Sequence, residues 1–446
     1  MKSPAWVIPA TFLGASLICR LRLLRAPVSI ATDLRQPIAV VTNWHAFGAM
    51  LFAIVFAACA IGTIAHLATV RSAPNIRFIV AACVVAIGCA WLMPVIFSSD
   101  VYAYAAYGEL FRIGGDPYGH AALPSGNPIF EAAVWQWGNP PPTCVYGPAF
   151  VWFAAAIVTA AHSLTVAVTL DLLRLAASLA LPLCALLAYA AYRGDEAARV
   201  AAAAIIGLNP VAIWCAVEGH NDALALAAVL GGFAFVRSGQ AGAGGALAAL
   251  SGALKFPGIV AGVPIAVAQP RARAGVAIGV LGTLLLSIPL LHGIATQLVP
   301  RGRYAPQASF EAVIKPLALL VFREDGTASI ATWSIALLAA AAVAFTAIRL
   351  LRCGRREGWA QLAAGGWLLI PNPYPWYALW LLPVAAIAPR SKASIVLLVL
   401  TLLSLLRYVP DTIAAVTPLQ EVLLGLTATI PLAALFAKRN GNDRTA

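Results

Sequence analysis

Charge is scarce in this 446-residue chain. Asp, Glu, Lys and Arg make up 10% of it, where a soluble domain carries roughly a quarter. That deficit excludes an ordinary soluble globule. Long polar stretches are also missing, because apolar runs recur from near the N-terminus to residue 437. Metal-ligand spacing is absent as well. Of the eight cysteines, Cys19, Cys59, Cys83, Cys89, Cys184 and Cys215 lie inside apolar runs, where a thiol is a small core residue. No disulfide and no metal site is assigned. Internal repeats, common in transporters, are not evident.

Apolar residues fill the space. They make up 61% of the chain, and the mean hydropathy is +0.87. A helix crosses a bilayer with about 20 apolar residues, and backbone groups in lipid must be satisfied internally. The expectation is an all-α polytopic transmembrane helical bundle in the inner (plasma) membrane. The opening MKSPAWVIPATFLGASLIC imitates a signal peptide but lacks a small-residue cleavage site, so it reads as a signal anchor. The net charge of +12 suggests a nucleic-acid partner only until its placement is considered. The basic residues fall between apolar segments, which is the pattern of topology.

About 13–14 candidate spans are read at 5–21, 47–70, 76–97, 166–192, 199–217, 222–237, 241–254, 257–269, 274–292, 329–350, 358–371, 376–389, 393–408 and 417–437. Alternate connections hold Arg71 and Arg77, Arg193 and Arg199, Arg237, Arg271 and Arg273, Arg349 to Arg356, Arg390 and Lys392, and the tail with Lys438 and Arg439. The positive-inside rule makes these and the C-terminus cytoplasmic. The alternation holds only if residues 148–163 do not cross the membrane. Against the rule, the segment 20–46 carries four arginines yet is placed outside. The resulting organisation is 1–97 as N-terminal helices, 98–165 as an extracytoplasmic loop with juxtamembrane helices, 166–292 as core helices, 293–328 as a second outward loop and 329–446 as C-terminal helices.

Unusual polar residues collect on the outward side. Asp100 follows directly on an apolar run, where a carboxylate is costly without a role or partner; the bland alternative is a helix cap. Asp116, in GGDPY, is a turn residue by type. Tyr102, Tyr104 and Tyr146 fit either an interfacial belt or a substrate wall. VEGHND packs Glu218, His220, Asn221 and Asp222 between two apolar helices, and capping accounts for only one of them. Lys255 joins two short apolar segments, which places it in a recess as a counter-ion for a phosphate, with snorkelling as the alternative. Arg301 and Arg303 in RGRYAP suit a phosphate or a solvated face. Tyr374 and Trp376 in PNPYPWYALWLLP suit a sugar or an aromatic girdle. Together these residues suit transfer of a polar group from a lipid phosphate, with cations on the leaving group and a carboxylate taking the acceptor proton.

In their order, DVYAYAAYGELFRIGGDPY, NP, YGP and GHNDAL resemble the polytopic GT-C glycosyltransferases, and among these the bacterial polyprenol-phosphate-mannose-dependent mannosyltransferases. The resemblance covers roughly residues 90–260 and recurs weakly at NPYPWYALWLLP. It implies a polyprenyl-phosphate sugar donor, a glycan or lipid acceptor, inversion at the anomeric carbon and an extracytoplasmic active site. It also implies Asp100 as general base, with His220 and Asp222 positioning substrate and Lys255 on the lipid phosphate. The motifs require no cofactor, and a divalent ion at Asp100 and Asp222 stays open. One departure is that up to three spans precede the large loop, where the family commonly has one. The rival reading is a transporter or flippase of lipid-linked sugars. Donor sugar, acceptor, linkage and oligomeric state are not encoded legibly.

Overall fold

The computed structural model describes residues 4–24, 44–69, 75–92, 98–119, 122–258, 262, 265–266, 269–291, 293–294, 306–408 and 418–436. Among them are helices and turns but no strand, so the fold is all-α. The chain divides into two compact units, Met1–Gly302 and Arg303–Ala446.

The first unit contains α1 (Val7–Leu24), α2 (Trp44–Thr69), α3 (Ile76–Ala90), α4 (Asp100–Arg112), α5 (Pro128–Trp137), α6 (Pro148–Ala160) and α7 (Val166–Ala191). It continues with α8 (Glu196–Gly207), α9 (Pro210–Val217), α10 (Asp222–Arg237), α11 (Ala241–Leu254) and α12 (Arg273–Ser287). The second unit holds α13 (Phe310–Phe322), α14 (Asp325–Arg352), α15 (Glu357–Trp367), α16 (Lys392–Leu403) and α17 (Pro418–Ala433).

Among the described residues, Val166–Ala191, Pro270–Leu290 and Asp325–Arg352 are long and apolar enough to cross a membrane. Their outer faces confirm the solvent they need. Ile278, Leu281, Leu284, Leu285 and Ile288 on one helix, and Ile330, Trp333, Leu338 and Phe345 on another, are exposed. In water, that apolar area would cost about 25 cal/mol for each Å²; in lipid it costs nothing. This is a membrane protein.

Two expected spans are broken, and a proline lies at or beside a break in each. The span read at 199–217 is two helices, α8 and α9, bent by 46°. Asn209 caps the second of them, its Oδ1 accepting from the Val211 N–H at 3.0 Å. Pro210 occupies the first helical position, where its missing N–H is no loss. The span read at 376–389 is divided into Pro375–Ala378, Leu379–Leu381 and Leu382–Ala385, with Pro383 interrupting the backbone ladder. Much of the span read at 257–269 lies outside the described residues.

Residues 148–163 form the 13-residue α6 and the turn after it. At 1.5 Å per residue, α6 is about 20 Å long, against a hydrocarbon thickness of roughly 30 Å. It lies tight along α4. A Cβ on Gly108 would stand 2.6 Å from the Ala154 carbonyl, so only glycine permits this approach. α10 and α11 meet in the same manner, since a Cβ on Gly232 would stand 2.9 Å from the Gly244 carbonyl oxygen, the small-residue contact that membrane helices use.

Candidate functional site

The site grows from the VEGHND segment. α9 ends in a Schellman motif: the Gly219 N–H donates to the Ala216 carbonyl at 3.1 Å and the His220 N–H to the Cys215 carbonyl at 2.9 Å. The motif needs a left-handed residue after the cap, which Gly219 supplies at φ 91°. Reversal over so few residues turns His220, Asn221 and Asp222 into the interior, where each is at most 1% exposed. Asn221 then opens α10 as its N-cap residue without a capping side-chain bond.

Asp100 faces this turn from the start of α4. Its Oδ2 lies 3.3 Å from the Tyr146 hydroxyl and 3.4 Å from the Tyr104 hydroxyl, and the two hydroxyls are 3.0 Å apart. Each phenol carries one proton. The shorter contact takes the Tyr104 proton to Tyr146, which leaves Tyr146 to donate to the carboxylate. The His220 Nδ1 is 3.5 Å from the Tyr104 hydroxyl and 3.8 Å from Asp100. Burial, then the charge of Lys255, hold the imidazole well below its ordinary pKa, so His220 is neutral and its approach to Asp100 is no ion pair. Burial pushes the Asp100 carboxyl above its ordinary pKa, against the lowering effects of Ser98, Lys255, Tyr146 and Tyr104.

Lys255 enters from the end of α11. The Gly147 N–H donates to the Leu254 carbonyl at 3.3 Å, and this lays Tyr146 beside the ammonium, with Nζ 5.4 Å from the ring centroid. The sequence reading expects Lys255 to await a phosphate. In the structure Nζ lies 2.5 Å from the Asp222 Oδ2. A lone ammonium in that interior would be costly, and Asp222 offsets the cost.

Glu109, Asp116, Asp222 and Asp100 are all acids of this region, and their surroundings differ. Glu109 is held by Arg112 at 2.6 and 2.8 Å and by Asn127 at 2.6 Å, and the Arg112 guanidinium keeps its pKa below the ordinary range. Asp116 is a turn residue: its Oδ1 accepts from the Tyr118 N–H at 2.9 Å, and its carboxylate packs on Gly293. Its effect reaches the site indirectly, because the Tyr118 hydroxyl donates to the Tyr146 carbonyl at 2.8 Å. The Asp222 side chain is 0% exposed and paired, whereas Asp100 keeps 18% of its side chain accessible. Asp100 combines that access with a carboxyl pKa raised by burial.

The remaining sequence candidates scatter. Tyr102, two residues before Tyr104, points to another face of α4 and acts electrostatically on Arg174, as Glu218 does. Tyr374 and Trp376 belong to the second unit, stacked at 4.5 Å and 5°, with Arg407 4.9 Å over Tyr374 and bonded to Gln307. Arg301 and Arg303 lie outside the described residues. Sequence reading missed Arg174, although a lone arginine in an apolar span is itself a signal. It also missed Ser98 and Tyr118, which no pattern marks.

The family described as alpha-(1->6)-mannopyranosyltransferase, N-terminal domain, has a model that matches residues 11–271, and these carry every member of the Asp100 cluster. The chain belongs to this family. A curated relative, the alpha-(1->6)-mannopyranosyltransferase A of Mycobacterium tuberculosis (strain ATCC 25618 / H37Rv), is 34% identical over 169 residues, covering 34% of this chain and 30% of the relative. The chain thus spans less than a third of the length of the curated relative it matches. No solved structure matches it.

Proposed function

We propose that the protein is an inverting mannosyltransferase that moves mannose from a polyprenyl phosphate to an extracytoplasmic glycan or lipid acceptor, with Asp100 as general base. The observation that carries this reading is the isolation of Asp100: it is the accessible acid in a cluster of buried hydroxyls, a neutral imidazole and a braced cation.

In the proposed step, the acceptor hydroxyl oxygen bonds to the anomeric carbon of mannose while the bond from that carbon to the phosphate oxygen breaks. The hydroxyl proton passes to Asp100, and polyprenyl phosphate leaves with the bonding electrons. A raised pKa suits a base that must take a proton near neutral pH. Lys255, held by Asp222, stabilises the charge growing on the leaving phosphate. The relative's name specifies an alpha linkage; inversion to that product demands a beta-linked mannosyl phosphate. Tyr146 orients the carboxylate, and His220, being neutral, adds no positive charge that would weaken Asp100 as a base.

The purified protein, given synthetic beta-mannosyl polyprenyl phosphate and an oligomannoside acceptor, is expected to yield an acceptor one hexose heavier by mass spectrometry. Movement of intact donor lipid across a vesicle membrane with no bond made would replace this reading with a flippase.

A further inference from the structure

We propose that Arg174 is a positioning residue: it fixes the end of α9 against the start of α4 and so sets Asp100 and His220 opposite each other. The inference rests on the mannosyl-transfer reading for its consequence, though not for its geometry.

A helix end leaves carbonyls without intrahelical partners. At the end of α9 the Schellman turn does not reach the Val217 carbonyl. The Arg174 Nε, on the neighbouring α7, donates to it at 2.8 Å, placing a cation where the helix dipole favours one. The Ser178 hydroxyl, one turn further along α7, donates to the Ala216 carbonyl at 3.3 Å. A second layer holds the first. The Trp91 ring lies 4.2 Å from the guanidinium carbon, and its indole N–H donates to Ser178 at 3.2 Å. Asp171 takes the Arg174 Nη1 at 2.9 Å.

The arginine stem completes the device. A Cβ on Gly219 would stand 3.2 Å from both the Arg174 Cγ and the Val101 Cγ2. Gly219 is therefore pinched between α7 and α4, with Val101 following Asp100 and His220 following Gly219. The residue that closes α9 thus also fixes the spacing between the proposed base and the imidazole beside it. Arg174 is 4% exposed, and a buried arginine in a membrane helix is costly unless it has such work. Lysine keeps the charge but loses the fork and the planar stacking on Trp91.

The test uses full-length protein in lipid nanodiscs with three substitutions, Arg174→Gln, Arg174→Lys and the milder Trp91→Phe. Transfer kinetics are read alongside mass-spectrometric mapping of diethylpyrocarbonate on each histidine. Arg174→Gln is expected to lower kcat by about tenfold or more, with donor KM changed less than threefold, and to open His220 to the reagent while exposed His162 reacts equally in all forms. Arg174→Lys should restore part of kcat, and Trp91→Phe should shift both readouts in the same direction if Arg174→Gln does not fold. Wild-type kcat with His220 still protected in the folded variants would overturn the proposal. If wild-type protein transfers no mannose, the functional reading fails by itself. The labelling then decides the geometry alone: protection lost in the variants supports the positioning role, and protection kept overturns it.

Discussion

The Lys255 ammonium lies 2.5 Å from the Asp222 carboxylate, and the two side chains are 7% and 0% exposed. Breaking a buried pair from one side leaves an uncompensated charge and costs about 3–5 kcal/mol. Replacing both partners with neutral groups costs far less. Lys255→Met and Asp222→Asn should each lower the melting temperature sharply, while the double variant recovers most of the loss. Thermal denaturation in detergent checks the cycle. The double variant should stay inactive despite its recovered stability, because it lacks the cation proposed to hold the leaving phosphate.

Asp100 has the opposite stability signature. Burial raises its pKa in the folded protein above the ordinary 3.8, so folding favours the protonated form. The stabilisation is fully present below the unfolded value and is lost as pH rises through the folded pKa. Asp100→Asn, neutral throughout, should therefore melt above wild type at neutral pH, with the difference shrinking as pH falls toward 3.8. Melting curves across that range decide it; a variant less stable than wild type at pH 7 would contradict the buried-carboxylate account.

Tyr146→Phe removes the hydroxyl that donates to Asp100 at 3.3 Å. That bond lowers the Asp100 pKa, so its loss should move the acidic limb of the pH–rate profile upward. The kcat should therefore fall on the acidic side of the profile and approach the wild-type value as pH rises; rates measured across the pH range decide it.

Orientation is testable by thiol labelling. Ser163 and Gly194 flank α7 on opposite ends and are exposed. In a cysteine-free background, a membrane-impermeant maleimide should reach Ser163→Cys in intact cells and Gly194→Cys only after lysis. The reverse result would invert the topology and place the site on the cytoplasmic side.

What could be read from the sequence depended on contrast. Asp100 and the VEGHND cluster stand out because charge inside apolar helices is rare, and the structure brings Asp100 and His220 to 3.8 Å. The all-α bundle followed from composition alone. Pairings across long sequence separations did not show. Tyr146 reaches Asp100 from 46 residues away, and Lys255 finds Asp222 across 33; no local pattern encodes either. Asn209-Pro210 carried a legible helix start inside an expected span, and hydropathy averaged over it. Glu218 reads as a site residue from its place in VEGHND, yet in the structure it acts electrostatically on Arg174, which no local pattern signals.

In the proposed mechanism Asp100 takes the acceptor proton during mannosyl transfer. This step is tested most directly by single-turnover assays of Asp100→Asn with beta-mannosyl polyprenyl phosphate, paired with donor binding measured on the same protein. Transfer is expected to fall by about 10²–10⁴, the usual contribution of a general base, with donor affinity unchanged. Turnover at the wild-type rate by folded Asp100→Asn would contradict it.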